Sequence, residues 1–184
     1  MACPITVSKF VGTVSLGLLT GLSYSTSAIT IPSLKLLPTS TTASRCLREV
    51  QRLNRKHALR LSSITNTCLC FAYYVSPPRR QHPFLLWMCT ISTIGAYGLD
   101  LFFNRHLGLQ NWIIDVVYDT MGLSLGKPTS KKEEDLVVVE SEEDVNGESV
   151  QREMDRERRM HCIRAWVSGL ALSMGIVGLW GDKK

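Results

Sequence analysis

Between Lys9 and Lys35 the chain carries no ionisable side chain except Tyr24. The stretch from Phe10 to Ile31 would measure roughly 33 Å as an α-helix, enough to cross a bilayer. Three further apolar runs follow: Leu61 to Val75, ahead of Pro77-Pro78; Phe84 to Phe103, behind Pro83 and interrupted by Asp100; and Ala165 to Trp180, closed by Gly181. All seven prolines fall outside these runs, as expected of helix interiors. The pattern predicts an all-α integral membrane protein with about four transmembrane helices, at 10–31, 61–75, 84–103 and 165–180. The second and fourth are short for a bilayer core, so Arg60, Arg164 and the terminal lysines are expected to snorkel toward the interface. Two other readings stay open: buried helices of a soluble bundle, and a signal peptide with Phe10 to Leu22 as its apolar segment.

The connections differ sharply from the runs. Segment 32–60 is basic, and Arg45, Arg48, Arg52, Arg55 and Lys56 share one helical face while Leu47, Val50, Ala58 and Leu61 share the opposite one. This is a basic amphipathic helix, suited either to an anionic membrane surface or to packing on other helices with its charged face in solvent. Segment 104–126 places Trp112, Ile113, Val116 and Val117 against Asp115 and Asp119 and reads as interfacial. The charged loop 127–160 has no aromatic residue and is expected to be disordered, turning helical toward 151–164. Lys131 to Met160 holds 6 Lys/Arg against 11 Asp/Glu, although the whole chain of 184 residues carries a formal charge of +5.

With four spans, the two long connections lie on one side and hold 16 of the 21 Lys/Arg, which puts them in the cytosol by the positive-inside bias. The N-terminal tail 1–9 then faces away from it.

Small residues mark where helices can approach. Gly17 and Gly21 form a GxxxG step in the first span, and Gly169 with Ser173 and Ala171 with Gly175 repeat the spacing in the last, so helix packing within the chain or self-association is expected there. Trp166 and Trp180 are candidate interface anchors. Asp100, the one carboxylate inside a span, lies three residues from its end and is expected to reach water; an ion path is the other reading.

In the charged loop, Leu136, Val137, Val138 and Val139 precede an acidic run. They are a candidate partner motif able to add a strand to a sheet edge. Ser141 resembles an acid-directed phosphorylation site. No nucleotide-binding, hydrolase or metal-ligand motif occurs, so no catalytic, cofactor or metal site is expected and the chain is not expected to be an enzyme. Six scattered cysteines exclude a disulfide scaffold, and the arginines suit a membrane better than nucleic acid.

Three blocks carry a resemblance: Ser15-Leu-Gly-Leu-Leu-Thr-Gly-Leu22, Pro77-Pro-Arg-Arg-Gln-His-Pro-Phe-Leu-Leu-Trp87 and Gly178-Leu-Trp-Gly181. Together they resemble the fungal family of autophagy-related protein 33, over the apolar part of the chain and not over 127–159. That resemblance implies a multi-pass protein of the mitochondrial outer membrane that promotes mitophagy, with the lipid bilayer and autophagy or mitochondrial membrane proteins as partners. It implies no residue with a defined chemical role. None of the 14 Phe, Tyr and Trp residues has Leu, Ile or Val three positions on, so an adaptor or signalling role suits the chain better than direct binding of the autophagosome coat. The other function class is a small membrane-structural or assembly protein of mitochondria or endoplasmic reticulum acting through helix packing.

Overall fold

A computed structural model describes residues 4–76, 83–103, 109–121 and 147–181. Five helices account for nearly all of them: α1 (Pro4–Leu34), α2 (Ser40–Val75), α3 (Phe84–Phe103), α4 (Leu109–Met121) and α5 (Gly147–Gly181). The candidate motif at 136–139 and Ser141 lie outside the described residues.

Printed contacts fix the topology. Leu69 meets Gly12 while Asn54 meets Thr26, so α2 runs antiparallel to α1. On α3, Cys89 lies against Cys70 and Asp100 against Arg55, which reverses the direction again. Met88 abuts Gly175 and Gly95 abuts Val167, so α5 descends beside α3; it also passes α1, with Leu172 near Gly17 and Asp155 near Lys35. The result is an up-down four-helix bundle in the order α1, α2, α3, α5, crossed at one end by α4.

Its packing is inverted relative to a water-soluble bundle. Buried positions include Gly12, Ser15, Ser23, Thr26, Ser62, Thr65, Ser92 and Ser168 around a core of Leu16, Leu19, Ala58, Leu69, Leu85, Met88 and Ala171. Large apolar side chains point outward instead, as in the Val7, Val11, Val14, Leu18 stripe of α1 and in Trp87, Leu170 and Val177. Hydroxylated residues buried beside leucines, with further bulky hydrocarbon outside, is an arrangement compatible with lipid. Four hydroxyls of α1 are satisfied locally: Thr13, Thr20, Ser23 and Thr26 each donate to the carbonyl four residues back.

Among the described residues, three helices are long and apolar enough to cross a membrane: α1, α3 and the stretch Gly147–Gly178 of α5. The run 61–75 falls short of that standard, and it belongs to a 36-residue helix whose first half is charged.

Two helix boundaries expected from the sequence shift here, and one open choice is narrowed. The first span continues through Pro32 to Leu34, because a π-turn at Thr26–Thr30 widens the helix and releases the carbonyls that the proline ring would strike. The Ser33 hydroxyl donates to Ile29 O at 2.8 Å and takes up one freed acceptor. The amphipathic face of α2 does not need a membrane surface: Ala43 and Leu47 pack with Ile31, Val150 and Met154 in a second core beyond the apolar layer. Finally, the helix expected toward 151–164 begins earlier, at Gly147, and forms the first turns of α5, since Val150 and Met154 at i, i+4 spacing find that core.

Candidate functional site

Where the apolar layer meets the charged end of the bundle, four helices contribute to one buried polar centre. Asp100 is 2% exposed. Arg55 donates from Nε to Oδ1 at 3.1 Å and Oδ2 at 3.2 Å, and from Nη2 to Oδ2 at 3.1 Å. The Trp112 indole Nε1–H on α4 donates to Oδ2 at 2.7 Å. The expected end-of-helix position reaching water is therefore overturned: α2 carries its basic face past the last turn of α3, and α4 folds back over it. A carboxylate so enclosed is tolerable because a planar guanidinium and an indole saturate its lone pairs.

Arg164 departs from expectation in the same way. Instead of snorkelling outward it is 2% exposed, and its Nε donates to Gly95 O at 3.2 Å. That carbonyl lies in a second π-turn, Ile94–Gly98, where the widened helix leaves acceptors off the regular ladder. A Cβ at Gly95 would come 3.0 Å from Val167 Cγ1, so the glycine sets how closely α5 approaches. Asp100 and Glu157 supply the charge that offsets Arg164, while its Nη1 has no hydrogen-bond partner among the described residues.

Outside the apolar layer, links tie α5 to its neighbours. Lys35 Nζ donates to Asp155 Oδ1 at 2.6 Å, Gln51 Nε2 to Glu153 Oε1 at 3.2 Å, and Arg156 Nη2 to Phe103 O at 2.5 Å, with the guanidinium over the Phe103 ring. Asp155 and Glu157 precede the apolar run 165–180 by roughly 15 and 12 Å of helix. The Lys35 hydrogen bond holds the Asp155 carboxyl below its ordinary range, and burial pushes that of Glu157 up.

The small residues divide by face. A Cβ at Gly17 would touch Leu172 and one at Gly169 would touch Thr20, at 3.8 and 3.7 Å, which are ordinary contacts between α1 and α5. Gly21 has nothing within 4 Å, and Ser173 is exposed; both line an open slot between those two helices. Ala171 is in the core, and a Cβ at Gly175 would fall 2.5 Å from Met88 Cε. An equally tight approach was not singled out in the sequence: at Gly178 a Cβ would lie 2.5 Å from the Phe84 ring. Arg55, Trp112 and Arg164 were likewise not read as site residues. The signal for Arg164 was a cation directly abutting a span, with Asp100 able to answer it.

No group of three or more His, Cys, Asp and Glu able to hold a metal occurs among the described residues. The architecture defines a class: an all-α bundle with three helices apolar enough to cross a membrane among the described residues, in which Arg55, Asp100 and Arg164 are gathered at one end. The chain belongs to the Autophagy-related protein 33 family, whose model matches residues 1–182. It is 31% identical over 189 aligned residues to Autophagy-related protein 33 of Gibberella zeae, covering 97% of this chain and 91% of that protein. Membership gives it an autophagy-related role and bears out the resemblance read from the sequence blocks. No solved structure matches it.

Proposed function

We propose that the chain is a non-enzymatic, multi-pass protein of the mitochondrial outer membrane that promotes mitophagy by presenting its charged connection to cytosolic partners. The inverted packing of the bundle, bulky hydrocarbon outside and hydroxyls inside, carries the membrane part of this reading. Family membership supplies the link to autophagy. In this reading 61–75 crosses the bilayer as a fourth span beside α1 and α3, its polar groups turned inward: Ser62 toward Ser92, and Thr65 donating to Gly12 O. The ends of α2 and α5 emerge on the cytosolic side, and their joint core makes a stalk for 122–146.

The test is a tagged full-length chain, localised and subjected to carbonate extraction, with mitochondrial turnover measured after deletion of 122–146. Retention in the membrane pellet of mitochondria and loss of turnover are expected. Release into the supernatant sinks the reading. The close approaches at Gly175 and Gly178 favour a second one, in which helix packing is itself the function. Turnover that survives the loop deletion and fails on Gly175 and Gly178 substitution selects it.

A further inference from the structure

We propose that the slot between α1 and α5 binds one anionic phospholipid, an acyl chain lying along Gly21, Ala28, Ala165 and Gly169 with the phosphate held by Arg158. The two helices touch at Gly17 with Leu172 and at Thr20 with Gly169, and are joined again at Lys35 with Asp155. Between those points they part because the facing side chains are small, leaving a slot of about 700 Å³.

Its length suits an extended hydrocarbon chain. From Arg158 to Ser173 is about 22 Å of helix, long enough to lay an acyl chain along the slot. A polymethylene chain is one carbon row wide and fits between walls whose atoms stand at about 4 Å on either side. Left empty, the lining would forfeit those dispersion contacts.

Charge and depth select the headgroup. No carboxylate lines the slot. Arg158 is exposed at its polar end, where its charge is shared with Asp155 three positions earlier, whose carboxylate is hydrogen-bonded by Lys35. Arg158 stands about 10 Å of helix outside the apolar run that begins at Ala165, from where its side chain reaches the phosphate layer. A guanidinium offers paired donors that match a phosphate. Trp166, 73% exposed on the rim, sits where aromatic side chains settle at the interface.

Native mass spectrometry of the full-length protein in detergent tests this with dioleoyl-phosphatidylglycerol, dioleoyl-phosphatidylcholine and glycerol 3-phosphate as probes. One phosphatidylglycerol should be retained per chain, about fivefold better than phosphatidylcholine, as one interfacial arginine provides. Arg158→Gln should erase that preference. Gly21→Leu, at a position with open space around it, should lower retention of both lipids, and glycerol 3-phosphate should not compete. Should Gly21→Leu fail to fold, Ser173→Leu on the exposed wall replaces it. Equal retention of the two lipids by the unaltered chain, indifference to Arg158→Gln, or displacement by glycerol 3-phosphate overturns the proposal. So does a dimer that either leucine variant abolishes with no lipid retained, which would assign the slot to a second copy. The inference rests on membrane embedding, which carbonate extraction tests separately, and not on any role in mitophagy.

Discussion

Arg55 holds both carboxylate oxygens of Asp100, so the charged face of α2 is bolted to the last turn of α3 at the depth where the apolar layer ends. Removing one member leaves the other buried without its counter-charge, whereas replacing both with apolar residues removes the cost along with the bond. Asp100→Ala and Arg55→Ala should each destabilise the bundle by about 3 kcal/mol. The Arg55→Met, Asp100→Leu double variant should recover only part of that loss, because buried Arg164 loses Asp100 as well and keeps Glu157. Denaturant titration in detergent micelles, arranged as a double-mutant cycle, measures the coupling; a strictly additive result would contradict the buried pair.

The ring of Phe84 occupies the space a side chain at Gly178 would need. Gly178→Val should force α3 and α5 apart and cost about 1–3 kcal/mol, the usual range for overpacking. Gly21→Val, facing open space, should cost less. Thermal unfolding of both variants in the same micelle distinguishes the two glycines.

Cys70 and Cys89 bring their Sγ atoms to 3.8 Å across the α2–α3 contact. A mild oxidant such as diamide should link them within one chain, and peptide mapping should recover a Cys70–Cys89 pair in preference to any involving Cys68 or Cys162. Absence of that pair would mean that α2 and α3 are not packed in this register.

The Lys35–Asp155 contact should weaken in acid. Because the Asp155 carboxyl is depressed in the folded chain, its contribution is present above the ordinary aspartate range and is lost as pH falls through the lowered value. Glu157, raised by burial, acts in the opposite sense, its ionisation disfavouring the folded state as pH rises. Hydrogen-exchange protection of the second core should therefore fall below about pH 4 in the unaltered chain. Asp155→Asn should remove that acid-dependent loss, and an unchanged profile would show that the pair contributes nothing.

The apolar runs were legible because each is bounded by proline or charge and lacks polar positions at helical spacing. Asp100 shows where that legibility stops. Its distance from the end of the run suggested solvent, and only the register of α2 against α3, set by small contacts such as Ser62 with Ser92, brings Arg55 to it. Residues 147–160 were obscured differently. Their charges resemble those of a disordered tract, yet Val150, Met154 and, on α2, Ala43 and Leu47 repeat at four-residue spacing, so the helical signal was present on two segments that needed each other. Pro32 was read as a terminator because the widened turn that accommodates it depends on the path of α1 between its neighbours and not on local sequence.

α5 runs without a break from Gly147 to Gly181, about 52 Å of helix, and only its second half is apolar. A rod of that length has little slack. Whatever grips the polypeptide just ahead of Gly147 holds the outer arm of a lever whose inner arm is Val167 and Leu172, so that a sideways pull of a few ångströms outside must be answered among side chains at Gly95 and Gly17. Movement at the charged handle and strain among the apolar side chains are, for this molecule, a single mechanical event.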